Sequence, residues 1–172
     1  MNKKIELVIV SKDEQFKLNY SAVNDLVNIN FVPNNKIALT KIYNQYLTNI
    51  RQQSEKPDFI IFLHHDANFD IKYVISELYR CNDKYDVFGL CGAGTLKVTE
   101  SPLNWFTGSR SAPNTRWGCV THGELGNRTT FFSFDRPDVH DHEVACIDGV
   151  CIIFGKNAIN SDLKFDEQFV FD

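Results

Sequence analysis

Residues able to bind a metal ion follow directly on the most apolar run of the chain. Residues 58–63 read Asp-Phe-Ile-Ile-Phe-Leu, and His64, His65 and Asp66 come next, with Asn68 two residues further on. A carboxylate fixed at the end of a strand can bind a hard divalent cation whose open positions take diphosphate oxygens. Such a cation would stabilise a nucleoside-diphosphate leaving group. The alternative is a strand that simply ends in a polar turn.

Two neighbouring imidazoles, those of His64 and His65, also suggest zinc, and with it a zinc hydrolase. Adjacent residues of a strand point to opposite faces of the sheet. We therefore expect the two rings to be poorly placed to share one ion.

The elements that must position these residues alternate between strands and helices over the first ninety residues. Short segments rich in apolar and β-branched residues predict strands at Ile5–Val10, Asn28–Val32, 58–63 and 87–90. Apolar residues at three- and four-residue steps predict amphipathic helices over 37–50 and 71–79. This alternation indicates βαβ units and a mainly parallel sheet covered on both faces. Ligands in such sheets bind at the carboxyl ends of the strands, where residues 11–13 and 64–66 fall.

The pattern changes from Gly92 onward to short β-like pieces at 118–122, 129–134 and 142–154. This part is expected to form a loop-rich, mixed-strand cap over the site. The sequence therefore predicts a single domain over residues 1–172, with a nucleotide-binding half (1–90) and an acceptor-side half (91–172). The hydrophobic content of 43% is sufficient for a packed core.

Composition excludes several classes of partner. A formal net charge of −4 gives no general reason to bind a nucleic-acid backbone. No apolar run is long enough for a membrane span. The five cysteines are odd in number, form no Cys-x-x-Cys pair and follow no export signal, which favours reduced thiols in a cytoplasmic protein. Cys151 is expected to be a small buried hydrophobe.

Four segments, taken in order, resemble motifs of glycosyltransferase family 2-like proteins. Residues 59–68 are similar to the strand that runs into a degenerate Asp-x-Asp metal motif, and 37–44 resemble the helix whose Tyr-Asn pair precedes it. Residues 146–154 and 163–169 are similar to the family's Val-Asp-Gly strand and Phe-Asp-Glu segment. The resemblance implies an α/β, GT-A-like fold with a Rossmann-type mixed sheet, mainly parallel in its N-terminal half and flanked by helices. It also implies sugar transfer, with inversion, from a nucleoside-diphosphate sugar such as a UDP-sugar.

The resemblance also implies roles for single residues. Asp66 and Asn68 would bind Mn²⁺ or Mg²⁺, although a second carboxylate is commoner than an amide at the position of Asn68. The residues implied to contact the donor are Ser11, Asp13, Asn44, His64 and His65. For Asn44, a capping or solvated amide is the alternative.

The catalytic carboxylates implied by the resemblance lie in the last quarter of the chain. Asp148 would lie near the sugar and the acceptor, unless it is an ordinary turn aspartate. In the family the general base usually follows the Phe-Asp-Glu segment in an acidic pair, and this chain stops at Asp172. We expect either a chain that is truncated before its base, which is the favoured explanation, or a base supplied by Asp166, Glu167 or Asp172.

The acceptor side is predicted from the irregular middle of the chain. Arg110 could meet a phosphate, and the ring of Trp117 could stack on a sugar unless it packs in the core. Residues 140–142 are expected to form a solvated turn. The expected acceptor is a hydroxyl of a glycan, protein or lipid. The rival hypothesis is a non-catalytic nucleotide-sugar- or glycan-binding domain, which would keep the pocket but lack the base.

Overall fold

The computed structural model describes residues 3–14, 25–67, 69–81, 84–94, 116–118, 120–124, 127–131 and 141–168. In chain order the described elements are β1 (Ile5–Val10), β2 (Asn28–Val32), α1 (Leu39–Arg51), β3 (Phe59–His64), α2 (Ile71–Cys81), β4 (Val87–Gly89), β5 (Gly92–Ala93), β6 (Arg116–Trp117), β7 (Val120–Glu124), β8 (Asn127–Phe131), β9 (Cys146–Ile147), β10 (Cys151–Gly155) and α3 (Lys156–Asn160). The chain divides into two compact units. The first unit consists of Met1–Phe88 with Val150–Asp172, and the second of Gly89–Gly149.

The first unit is built on a mixed five-stranded sheet with the order β2-β1-β3-β10-β4. β1 pairs in parallel with both β2 and β3, as the βαβ pattern predicts. β10 pairs antiparallel with β3, so the sheet is only partly parallel. This strand comes from the stretch that was expected in a cap. It enters the main sheet because Cys151, Ile153 and Phe154 are apolar and buried.

Helices cover both faces of this sheet, which confirms the flanked α/β architecture. One face buries alternate residues of β1 and β3 against Val74 and Leu78 of α2. The other face buries the intervening residues, among them Val8 and Phe62, against α1 and α3. Cys151 is 0% exposed, which confirms that it is buried, and this burial raises the pKa of its thiol to about 12.

A buried carboxylate interrupts the apolar sequence of β1. Glu6 is 4% exposed, and its Oε2 accepts hydrogen bonds from Asn28 Nδ2 at 2.7 Å, Asn30 Nδ2 at 2.6 Å and the Tyr46 hydroxyl at 3.0 Å. Burial, and then the Glu6 charge, raise the pKa of the Tyr46 hydroxyl. Glu6 therefore ties the edge strand β2 and helix α1 to β1.

The second unit holds short antiparallel strands. β6, β5 and β9 form a three-stranded sheet in that order, and β7 pairs with β8 in a hairpin. Gly118 follows β6 with a φ of 87°, a conformation that side chains disfavour. A Cβ at this position would collide with the carbonyl oxygen of Leu90. Within the described parts of the chain, no helix is both long and apolar enough to cross a bilayer.

Candidate functional site

The two polar segments identified in the sequence follow the carboxyl ends of two neighbouring strands. β1 and β3 are adjacent and parallel, and their register pairs Val10 with His64, the last residue of each strand. Residues 11–13 and 65–66 therefore follow the carboxyl ends of neighbouring strands at the same level. This is the position at which open α/β sheets bind their ligands.

The loop after β1 is fastened to the loop after β2. Ser11 is 3% exposed, its N–H donates to Val32 O at 2.9 Å, and its carbonyl accepts from Asn35 N at 2.8 Å. The Ser11 hydroxyl accepts from the Asp13 backbone N–H at 3.0 Å. Asn34 adopts a φ of 51°, which asparagine tolerates, and its N–H donates to Asp13 O at 3.3 Å. The Ser11 hydroxyl is thus used within the loop, and Asp13 is presented at its exposed end.

The end of β3 brings an imidazole and a carboxylate together. The chain turns after the strand, with the Ala67 N–H donating to His64 O at 3.1 Å. Within this turn, Nδ1 of His64 contacts Oδ1 of Asp66. This contact uses Nδ1 of the imidazole and not Nε2. The Asp66 side chain is 70% exposed and can offer oxygen to a ligand.

The rings of His64 and His65 lie beside each other, with centroids 4.7 Å apart and planes tilted by 35°. The expectation that they point to opposite faces is wrong. The physical reason is that β3 ends at His64, so His65 already belongs to the turn and is not bound by the alternation of a strand.

The described side chains at the carboxyl end of this sheet supply few ligands for a metal ion. Among the described residues, no group of three or more His, Cys, Asp or Glu side chains is arranged to hold a metal. Asn68 lies outside the described residues. One exposed carboxylate with a neighbouring imidazole falls short of the roughly six ligands that Mg²⁺ or Mn²⁺ takes. The donors described at this end of the sheet therefore do not by themselves complete the coordination of such an ion.

Asn44 lies in the middle of α1 and is committed to the C-terminal segment. Its Nδ2 donates to Phe165 O and to Glu167 Oε1, both at 2.9 Å, and its Oδ1 accepts from the Phe165 N–H at 2.9 Å. The buried amide is therefore neither solvated nor a helix cap. A contact between Asn44 and the donor stays a prediction. Sequence reasoning missed the link to Glu167, and the polar residue inside an apolar helical stripe is the signal that could have indicated it.

The two carboxylates of the C-terminal segment differ in their surroundings. Both Asp166 and Glu167 are exposed. Asp166 Oδ1 accepts from the Gln168 backbone N–H at 2.9 Å, a contact within the local turn. Glu167 instead contacts the side chain of Asn44 on α1. Asp172 lies outside the described residues.

The remaining predicted residues belong to the second unit, apart from Arg110, which lies outside the described residues. Asp148 follows β9, and its N–H donates to Cys91 O at 2.9 Å. Trp117 stacks on His142 with centroids 3.2 Å apart, and Nε2 of His142 is buried with no hydrogen-bond partner among the described residues. The expectation of a solvated turn is therefore wrong for His142. One face of the Trp117 ring is already covered by this imidazole.

The chain matches no protein-family model and no curated protein sequence. Its function therefore has to be argued from the geometry of the strand ends and from the chemistry of their side chains.

Proposed function

We propose that the first unit is a GT-A-like core that binds a nucleoside-diphosphate sugar, such as a UDP-sugar, together with Mn²⁺ or Mg²⁺. The observation that supports this most is the shared edge of β1 and β3, where the loop of residues 11–13 and the His64–Asp66 pair follow neighbouring strand ends. One loop presents a carboxylate suited to a ribose or a base. The other presents a carboxylate and an imidazole suited to a diphosphate with its cation.

The proposed reaction transfers the sugar to an acceptor hydroxyl of a glycan, protein or lipid, with inversion. Asp13 would bind the nucleoside, and the open oxygen of Asp66, with Asn68, would hold the cation beside the diphosphate. Nε2 of His64 faces away from Asp66 and is available to the ion or to a phosphate. The cation would neutralise charge on the departing diphosphate. A carboxylate would accept the proton of the acceptor hydroxyl, a role for which Asp148, Asp166 and Glu167 are the candidates.

The Asp66→Ala variant tests the donor site. We expect UDP affinity in the presence of Mn²⁺ to fall by about tenfold or more, which corresponds to about 1.4 kcal/mol. Far-UV circular dichroism should stay unchanged, because the Asp66 side chain is 70% exposed and lies outside the core. Asp162→Ala is the matched control, since Asp162 is an exposed aspartate of the same unit.

Three outcomes separate the alternatives. Wild-type affinity in Asp66→Ala contradicts the proposed cation position, and unfolding of this variant indicates that Asp66 is a structural residue. UDP binding without release of UDP from any UDP-sugar indicates the rival hypothesis of a non-catalytic nucleotide-sugar-binding domain.

A further inference from the structure

The side-chain amide of Asn44 makes all of its hydrogen bonds to residues 165 and 167. It pairs with both the N–H and the carbonyl of Phe165, much as a neighbouring strand would, and its second N–H donates to Glu167 Oε1. Buried side-chain amides are almost always satisfied in this way. Asn44 therefore fixes both the backbone at residue 165 and one oxygen of a carboxylate two residues later.

The segment that carries Glu167 is also held by aromatic packing and by hydrogen bonds from an arginine. The Phe165 ring stacks on the Phe154 ring, with centroids 5.4 Å apart, and packs edge-on against the Phe62 ring, with centroids 5.3 Å apart. The Arg51 guanidinium donates to three carbonyl oxygens between α3 and residue 163. A carboxylate mounted on this segment is thus positioned by a rigid support, which is what a catalytic group requires.

This support lies on the same face of the sheet as the His64 ring. Phe62 and His64 are two residues apart in β3, so their side chains share a face and their Cα atoms are about 7 Å apart. Phe62 packs in the cluster formed with α1 and α3, and so does Val10, the strand partner of His64. Phe165 packs on the same Phe62 ring. The segment that carries Glu167 therefore packs on the same face of the sheet as the one to which His64 belongs.

The two carboxylates of the segment are not equivalent as bases. Each carboxylate has one oxygen in a hydrogen bond, but the two donors differ. Asp166 Oδ1 accepts from the backbone N–H of Gln168 within its own turn. Glu167 Oε1 accepts from the buried side chain of Asn44 in α1, while Oε2 has no hydrogen-bond partner among the described residues and the side chain is exposed. A general base needs a fixed orientation and an open oxygen within reach of the proton it takes. Only Glu167 has its orientation fixed by a buried residue of another element.

We infer that Glu167 is the general base of the transfer proposed above and that Asn44 is the residue that positions it. The inference rests on the proposed function. In this step the acceptor O–H proton passes to Glu167 Oε2, and the acceptor oxygen forms a bond to the anomeric carbon. The bond from that carbon to the diphosphate oxygen breaks, and its electron pair leaves with the nucleoside diphosphate. Water takes the place of the acceptor when the donor is hydrolysed.

The first test is Glu167→Gln, measured as UDP release from UDP-glucose, UDP-galactose and UDP-N-acetylglucosamine with Mn²⁺. The carbonyl of the new amide can still accept from Asn44, so UDP affinity and the melting temperature should stay as in the wild type. Turnover should fall by about 10²–10⁴-fold, the usual contribution of a general base. Glu55→Gln, the same change at an exposed loop position, is the control and should keep full turnover.

The second test separates positioning from a merely structural role of Asn44. Asn44→Asp removes both donated hydrogen bonds and places two carboxylates face to face, so both stability and turnover should fall. In the double variant Asn44→Asp with Glu167→Gln, the glutamine amide can donate to the new aspartate. Stability should then recover, but turnover should stay as low as in Glu167→Gln, because an amide cannot take the proton. Recovery of turnover together with stability would mean that Glu167 is not the base and would overturn the inference. Turnover of Asn44→Asp alone is measured well below its melting temperature, where wild-type turnover of the folded variant would mean that Asn44 acts only on the fold.

The remaining outcomes are also decisive. Wild-type turnover in Glu167→Gln overturns the inference and leaves the donor site standing. The same holds if the wild-type protein binds UDP with Mn²⁺ but releases none from any of the three sugars. Absence of UDP binding by the wild-type protein overturns the proposed function, and this inference with it.

Discussion

Replacing Glu6 by glutamine should destabilise the first unit although the change is nearly isosteric. Glu6 Oε2 accepts three hydrogen bonds, from Asn28, Asn30 and Tyr46. The amide can keep these contacts with its carbonyl oxygen but loses the charge that strengthens them. The edge strand β2, whose following loop is fastened to residues 11–13, should be held less firmly as a result.

The size of the effect follows from the number of bonds. A hydrogen bond to a charged group contributes about 1.5–3 kcal/mol and a neutral one about 0.5–1.5 kcal/mol, so each bond loses about 1 kcal/mol. The three bonds together lose about 3 kcal/mol, and relief from burying a charge returns about 1 kcal/mol of this. The expected loss is therefore about 2 kcal/mol, or roughly 4–8 °C in melting temperature for a chain of this length.

Urea unfolding followed by far-UV circular dichroism measures this loss. Glu55→Gln makes the same chemical change at an exposed position and should stay within about 0.5 kcal/mol of the wild type. Tyr46→Phe, which removes one of the three donors, should reduce the effect of Glu6→Gln when the two changes are combined. Equal stability of Glu6→Gln and Glu55→Gln would refute the reasoning.

Two further predictions concern other parts of the chain. Burial raises the pKa of both Tyr43 and Tyr46 above their ordinary value of 10.0. The unfolded chain therefore loses these protons first, and the free energy of unfolding should fall as pH rises above about 10, measured by urea midpoints at several alkaline pH values. A flat pH profile would contradict this. Gly118→Ala should destabilise the second unit by more than about 1 kcal/mol, because φ is 87° and the new methyl group meets the carbonyl of Leu90. Gly149→Ala has open space around it and is the control for tryptophan-fluorescence unfolding, where equal effects would count against the assigned strain.

Much of the first unit could be predicted because burial on both faces leaves a clear pattern. The bounds of β1 and β2 agree with the strands predicted at Ile5–Val10 and Asn28–Val32. The stripes of α1 and α2 were also visible in the sequence. The place of β10 between β3 and β4 was not, since an apolar run does not say which strand will be its neighbour. Pairing between strands far apart in sequence is decided by tertiary packing.

The site was predictable only to the level of the strand ends. The rule for parallel sheets predicts that residues 11–13 and 64–66 lie at the same end of the sheet. The register of β1 and β3 confirms this, because it pairs Val10 with His64. The relation of His64 to His65 depended on the single residue at which β3 ends, which periodicity does not resolve. The contact of Asn44 with Glu167 spans 123 residues and follows from no spacing in the sequence.

Calorimetry with UDP, with and without Mn²⁺, tests the central proposal most directly. Asp66 offers one open carboxylate oxygen and His64 one nitrogen, so cation and diphosphate should each complete the other's binding. We expect UDP to bind about tenfold or more tightly with Mn²⁺ than without it, and Mn²⁺ alone to bind weakly. Equal UDP affinity in the two conditions would contradict a site in which the metal bridges Asp66 and the diphosphate, and absence of UDP binding in both would contradict the nucleotide site itself.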